Sequence, residues 1–173
     1  MSKLSIARYL FRLRSVALLN FYEFALSLER SLSIADLALR RAAHIKNILR
    51  GDPSWASGHL KLAEVAEVLG DLPLIYGSTH AVEILSKDSV ELQRAKHLRA
   101  RCYLKRGLFS RARTILEEIL AGGADRSPVI IEDLAATYFG DGDKASTKKL
   151  LDEIPPDKRS AEVLAMVNYL GLK

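Results

Sequence analysis

A single cysteine, Cys102, in 173 residues excludes an internal disulfide, so nothing in the chain requires an oxidising compartment. Proline and glycine are scarce, at 5 and 10 residues. Val, Ile and Thr rarely alternate with polar residues, so no segment carries the period of a strand. Four histidines (His44, His59, His80 and His97) show no metal-ligand spacing. They read as surface or packing residues, with no metal and no cofactor expected. No pair of carboxylates, Ser/His/Asp set or Cys/His pair is drawn together by a motif. That leaves no candidate catalytic residue and points away from an enzyme.

Long hydrophobic runs are missing too. Lys3, Arg8, Arg12 and Arg14 precede an apolar stretch, but the uncharged run from Ser15 to Tyr22 ends at Glu23. A spanning helix needs about 20 largely apolar residues, and no small-residue cleavage site follows. The expectation is a long helix over residues 3–29, packed on the core. Peripheral membrane contact through residues 3–28 is the alternative. The compartment expected is cytoplasmic, membrane-peripheral under that alternative.

What is present is a helix-forming alphabet: 49% hydrophobic and 27% charged residues, rich in Leu, Ala, Arg, Glu and Lys. The fold class expected is all-α, in one chain long enough to bury a sizeable core. A second helix starts at a Ser33 cap and ends at Gly51, with Leu37, Ala38, Ala42, Ile45 and Leu49 on one stripe. Residues 1–53 are then an N-terminal helix pair, and residues 54–173 hold three hairpins and a terminal capping helix over 157–170.

The hairpins come from a repeat. Gly70, Gly107 and Gly142 lie 37 and 35 residues apart. Seven residues before each stands alanine (Ala63, Ala100, Ala135), and four before each stands Ala66, Tyr103 or Tyr138. The spacing predicts helix, tight turn, antiparallel helix, with the glycine in the left-handed conformation past the first helix. Small alanines allow close approach, and one such hairpin cannot bury its apolar face alone. The same frame accounts for "GDGDK" at 140–144, which lacks the ligand spacing of a calcium loop. Trp55, just after Pro53, reads as a wedge at the start of the first hairpin, with exposed ligand stacking as the other option.

These residues resemble the tetratricopeptide repeat family, whose unit is about 34 residues. In the middle unit Ala100, Tyr103, Gly107, Phe109, Ala112, Leu116 and Leu120 fall at the family's spacings. The first keeps Leu62, Ala63, Gly70 and Leu72, with Ile75 where a small residue is usual. The third keeps Leu134, Ala135, Tyr138 and Leu151, with Thr147 there instead. The resemblance covers residues 54–155. It implies a right-handed solenoid of about nine helices, and a concave groove lined by the first helix of each unit.

Charge is unevenly spread. Residues 1–50 carry net +6, residues 51–93 net −5, residues 94–116 net +8 and residues 117–173 net −4. Within the +8 block Arg94, His97, Arg101 and Lys105 are spaced by 3, 4 and 4, and so share one helix face. By the resemblance that face lines the groove, along with Leu104. The same register adds Leu60, Glu64, Glu67 and Val68 from the first unit, and Glu132, Ala136 and Phe139 from the third.

The function this supports is a non-enzymatic protein–protein interaction module, an adaptor or scaffold. It would hold a peptide or helix of a protein partner that carries acidic residues or a free C-terminal carboxylate. The family's carboxylate-clamping Lys and Asn set does not map onto the chain. The competing reading of the stripe is salt bridging to neighbouring acids such as Glu64, Glu67 and Glu132. Other readings are an assembly factor docked through residues 3–28 on a bilayer or on a membrane protein's helix, and a nucleic-acid binder. The interposed acidic blocks argue against the latter's contiguous basic surface.

Overall fold

The computed structural model describes residues 33–123 and 126–171. Among them are eight α-helices, one 3-10 turn and no strand. The helix expected over residues 3–29 lies outside the described residues. The chain divides into two compact units, Met1–Ala95 and Lys96–Lys173.

In the first unit, α1 (Ile34–Gly51) begins where Ser33 Oγ accepts the Asp36 N–H at 3.1 Å. Asp36 takes the Ser33 hydroxyl in return at 2.7 Å. Ala38, Ala42, Ile45, Ile48 and Leu49 form the buried stripe; Ile48 takes the place expected of Leu37, which stays half-buried. They pack with Trp55, Leu62 and Val65 in one apolar cluster. α2 (Ala56–Leu69) lies against α1 on one side and α3 (Leu72–Leu85) on the other. The division between units falls inside α4 (Ser89–Lys105). On the first-unit side of α4, the Glu91 carboxylate accepts hydroxyls from Ser57 and Ser86.

In the second unit, α6 (Pro128–Gly140) packs on α5 (Phe109–Ala121), α7 (Lys144–Asp152) and α8 (Ala161–Tyr169). Their shared core includes Leu116, Ile119, Leu134, Leu151, Val163 and Met166. The terminal helix is shorter than the expected 157–170. Pro156–Lys158 form a 3-10 turn, and α8 starts only after Ser160, whose Oγ accepts the Val163 N–H at 3.3 Å. Arg159 anchors this junction by donating to the Leu151 and Ile154 carbonyls, each at 3.1 Å. Leu151 lies in the last turn of α7, where carbonyls lack helical partners, and Ile154 lies just beyond that helix.

The three turns share one geometry. Gly70, Gly107 and Gly142 have φ of 68°, 70° and 81°. Behind each, the next residue's N–H reaches back five residues: Asp71 to Ala66, Leu108 to Tyr103 and Asp143 to Tyr138, at 3.0, 3.0 and 2.9 Å. This is the bonding of a Schellman termination. Asp71 and Asp143 then cap the helices that follow, accepting the N–H of Leu74 and Ser146. Hydrogen bonds from the Ser146 N–H and hydroxyl hold Asp143 below the usual carboxylate range.

Side chains at matching positions are equally inaccessible. Ala63, Ala100 and Ala135 are each 0% exposed, as are Thr79, Leu116 and Leu151 nine residues after each glycine. Ile75, Ala112 and Thr147 occupy one position at 2%, 0% and 0%.

A paired substitution separates the turn requirement from glycine's ordinary cost. Gly107→Ala places a Cβ in the left-handed region and is expected to cost about 1–2 kcal/mol. Gly77, inside α3, has nothing within 4 Å of an added Cβ. Gly77→Ala is expected to stabilise by about 0.5–1 kcal/mol. Urea unfolding followed by circular dichroism measures both, and the opposite signs are the test.

Candidate functional site

α4 presents Arg94, His97, Arg101 and Lys105 at helical spacing, and the structure shows where each goes. In the first unit Arg94 pairs with Glu64 of α2. In the second, His97 Nε2 lies 2.6 Å from Asp133 Oδ2 on α6, and Arg101 Nε lies 3.7 Å from the same oxygen. The His97 and Asp133 side chains are 20% and 18% exposed, so this pair is the most sheltered of the stripe. Lys105 is exposed.

Glu132, expected as a partner for the stripe, instead accepts the Ser160 N–H at 3.0 Å. Its charge therefore sits at the positive end of α8. Asp133 takes the role expected of it.

Other cations of the block are also engaged locally. Arg113 reaches Asp141 at 3.1 Å and lies over the Tyr138 ring, Lys96 is 3.6 Å from Glu118, and Arg111 stacks over Tyr103. The +8 block is thus interleaved with acids and aromatic faces, as the alternating charge blocks suggested.

The remaining groove candidates divide. Arg101, Leu104 and Lys105 of α4 line a cleft of about 240 Å³ together with Glu132, Asp133 and Ala136 of α6. Its other wall, missed in the sequence, is α8, through Ser160, Glu162, Val163 and Met166. Phe139 turns to the C-terminal helix and meets Tyr169 edge to face, with ring centres 5.3 Å apart.

In the first unit Leu60, expected on the groove face, is 5% exposed. It lies one turn from Ala63 and shares that residue's inward face. Glu67 is half-buried, and Val68 is 60% exposed. Trp55 is 7% exposed and belongs to the core cluster, which fits the wedge rather than the stacking platform.

A second cleft of about 300 Å³ opens between α5, α6 and α7. There the Tyr138 hydroxyl donates to Glu117 at 2.7 Å, and that bond, followed by burial, raises the Tyr138 pKa. Arg126 and Glu153 pair at 2.6 Å on its rim.

Among the described residues, no group of three His, Cys, Asp or Glu could hold a metal ion. Among the same residues, no helix is long and apolar enough to cross a membrane. No family model matches the sequence, and no curated protein is significantly similar to it.

The His97–Asp133 contact links α4 to α6 and so sets one wall of the first cleft. A double-mutant cycle of His97→Ala and Asp133→Ala should give a coupling of about 1 kcal/mol. The same cycle on Lys96 and Glu118, side chains 38% and 57% exposed, should give less than about 0.5 kcal/mol. Equal couplings would mean that shelter adds nothing to the first pair.

Proposed function

We propose that the protein is a non-enzymatic adaptor built from tetratricopeptide-like hairpins, arranged as a right-handed solenoid of about nine helices. It holds a peptide or helix of a partner protein against the α4 face. The observation that carries this reading is the cleft between α4, α6 and α8, whose lining joins Arg101 and Lys105 with the apolar Leu104, Ala136 and Met166. A cleft of that volume suits one or two side chains of a larger partner better than a whole cofactor, since cofactor and drug-sized sites run to about 300–1,000 Å³.

The likeness of the three turns supports the repeat part of the reading. The pairing of Arg94, His97, Arg101, Lys96 and Arg113 with nearby acids weighs against nucleic acid as the partner. Phosphate backbones need a contiguous basic surface.

The test is capture by the full chain. Arg101→Glu with Lys105→Glu is expected to lower the yield of a specific partner at least tenfold. Lys148→Glu, on exposed α7 surface, should leave it unchanged. Equal capture by wild type and the double variant overturns the assignment of this face.

A further inference from the structure

The cleft between α4, α6 and α8 is not simply basic. Its α4 wall carries Arg101 and Lys105, four residues apart on one helix face, while α6 and α8 contribute three carboxylates, Glu132, Asp133 and Glu162. Two of those acids already serve the fold: Asp133 receives His97 and Arg101, and Glu132 accepts the Ser160 N–H. Glu162 stands exposed in the first turn of α8.

The cleft therefore offers a ligand cations on one wall and a carboxylate on another, with Leu104, Ala136 and Met166 as apolar lining. Arg101 keeps 38% of its side chain exposed while pairing with Asp133. A guanidinium has five donors in a planar fork and can serve several acceptors at once. A purely acidic segment would meet Glu162, and a purely basic one would meet Arg101 and Lys105. Like charges brought together across an interface cost affinity and select against the wrong partner.

We infer that the cleft selects a dipolar peptide segment, with an apolar side chain between an acidic and a basic residue. The acid faces Arg101 and Lys105, and the base faces Glu162. The inference rests on the interaction reading above and narrows its partner, for which acidic character alone was expected.

Three acetylated, amidated helical peptides test it against the full chain by fluorescence anisotropy, with methyl NMR shifts at Leu104, Val163 and Met166 locating the contact. Each has a central leucine, flanked one helical turn away on each side by Glu and Lys, by two Glu, or by two Lys. The Glu/Lys peptide is expected to bind at least fivefold tighter than either of the others. Glu162→Lys should transfer the preference to the two-Glu peptide, and Lys105→Glu to the two-Lys peptide. Both sites are exposed, so a switch in ranking is a readout that loss of folding cannot produce.

If the two-Glu peptide binds wild type as tightly as the dipolar one, or if Glu162→Lys leaves the ranking unchanged, the inference is overturned. The interaction reading then survives, provided the three methyls shift. If no peptide moves those methyls, both are overturned.

Discussion

Leu116→Ala is expected to cost the second unit about 2–5 kcal/mol, the range for a leucine removed from a core that cannot collapse around the hole. Leu116 is 0% exposed and packs in one cluster with Ile119, Ile131, Leu134, Leu151 and Val163. The cost has two parts, the lost transfer energy of the missing carbons and the cavity left behind. The cavity part is large where the surroundings are regular helices tied by tight turns. Leu151→Ala, at the matching position of the next hairpin, should fall in the same range. Thr79, the first-hairpin counterpart, spends its hydroxyl on the Tyr76 carbonyl at 3.1 Å. Thr79→Ala removes fewer buried carbons and should cost less. Leu164, 48% exposed on α8, is the control, with an expected change under about 1 kcal/mol. Chemical unfolding monitored at 222 nm ranks the four. If Leu116→Ala behaves like Leu164→Ala, the hairpin core is not what holds the unit together.

That prediction draws on positions legible before any coordinates, and the reason is locality. A glycine past a helix end, an alanine two turns earlier and a capping serine such as Ser33 are decided by neighbours within a few residues. Gly70, Gly107 and Gly142 accordingly appear with positive φ, and the alanines seven residues before them are sealed. The α1 stripe was readable for the same reason.

The site was less legible because it depends on which helices meet. Glu132 and Asp133 differ by one residue, but one residue is about 100° around a helix. That rotation takes Asp133 to His97 and leaves Glu132 for the N-terminus of α8. The repeat register places Leu60 toward the groove, while its spacing of three from Ala63 also gives it a share of that residue's inward face. The α8 wall was invisible in the sequence because the terminal helix reads only as a cap. Nothing in "SAEVLAMVNYL" states that Glu162 and Met166 face a cleft.

Trp55→Ala should be the most damaging single change in the first unit, at about 3–5 kcal/mol. The indole is 7% exposed and closes a cluster with Ala42, Ile45, Ile48, Leu49, Leu62 and Val65. Its backbone carbonyl accepts the Gly58 and His59 N–H groups at 3.0 and 3.2 Å, bonds that alanine would keep, so the loss falls on the core. The ring fits only because position 58 has no side chain: a Cβ on Gly58 would lie 2.3 Å from Trp55 Cε3.

This contact predicts a reversal of sign. In wild type, Gly58→Ala drives the indole from its seat and should cost about 1–3 kcal/mol, the range for overpacking. In the Trp55→Ala background the ring is gone, and the same alanine should stabilise α2 by about 0.5–1 kcal/mol through helix propensity. Trp55 is the chain's one tryptophan, so circular dichroism must follow the variants that lack it, while its own fluorescence reports on wild type and Gly58→Ala. A Trp55 that served to stack a ligand would show the opposite pattern, with little loss of stability on Trp55→Ala and no dependence of Gly58→Ala on the ring.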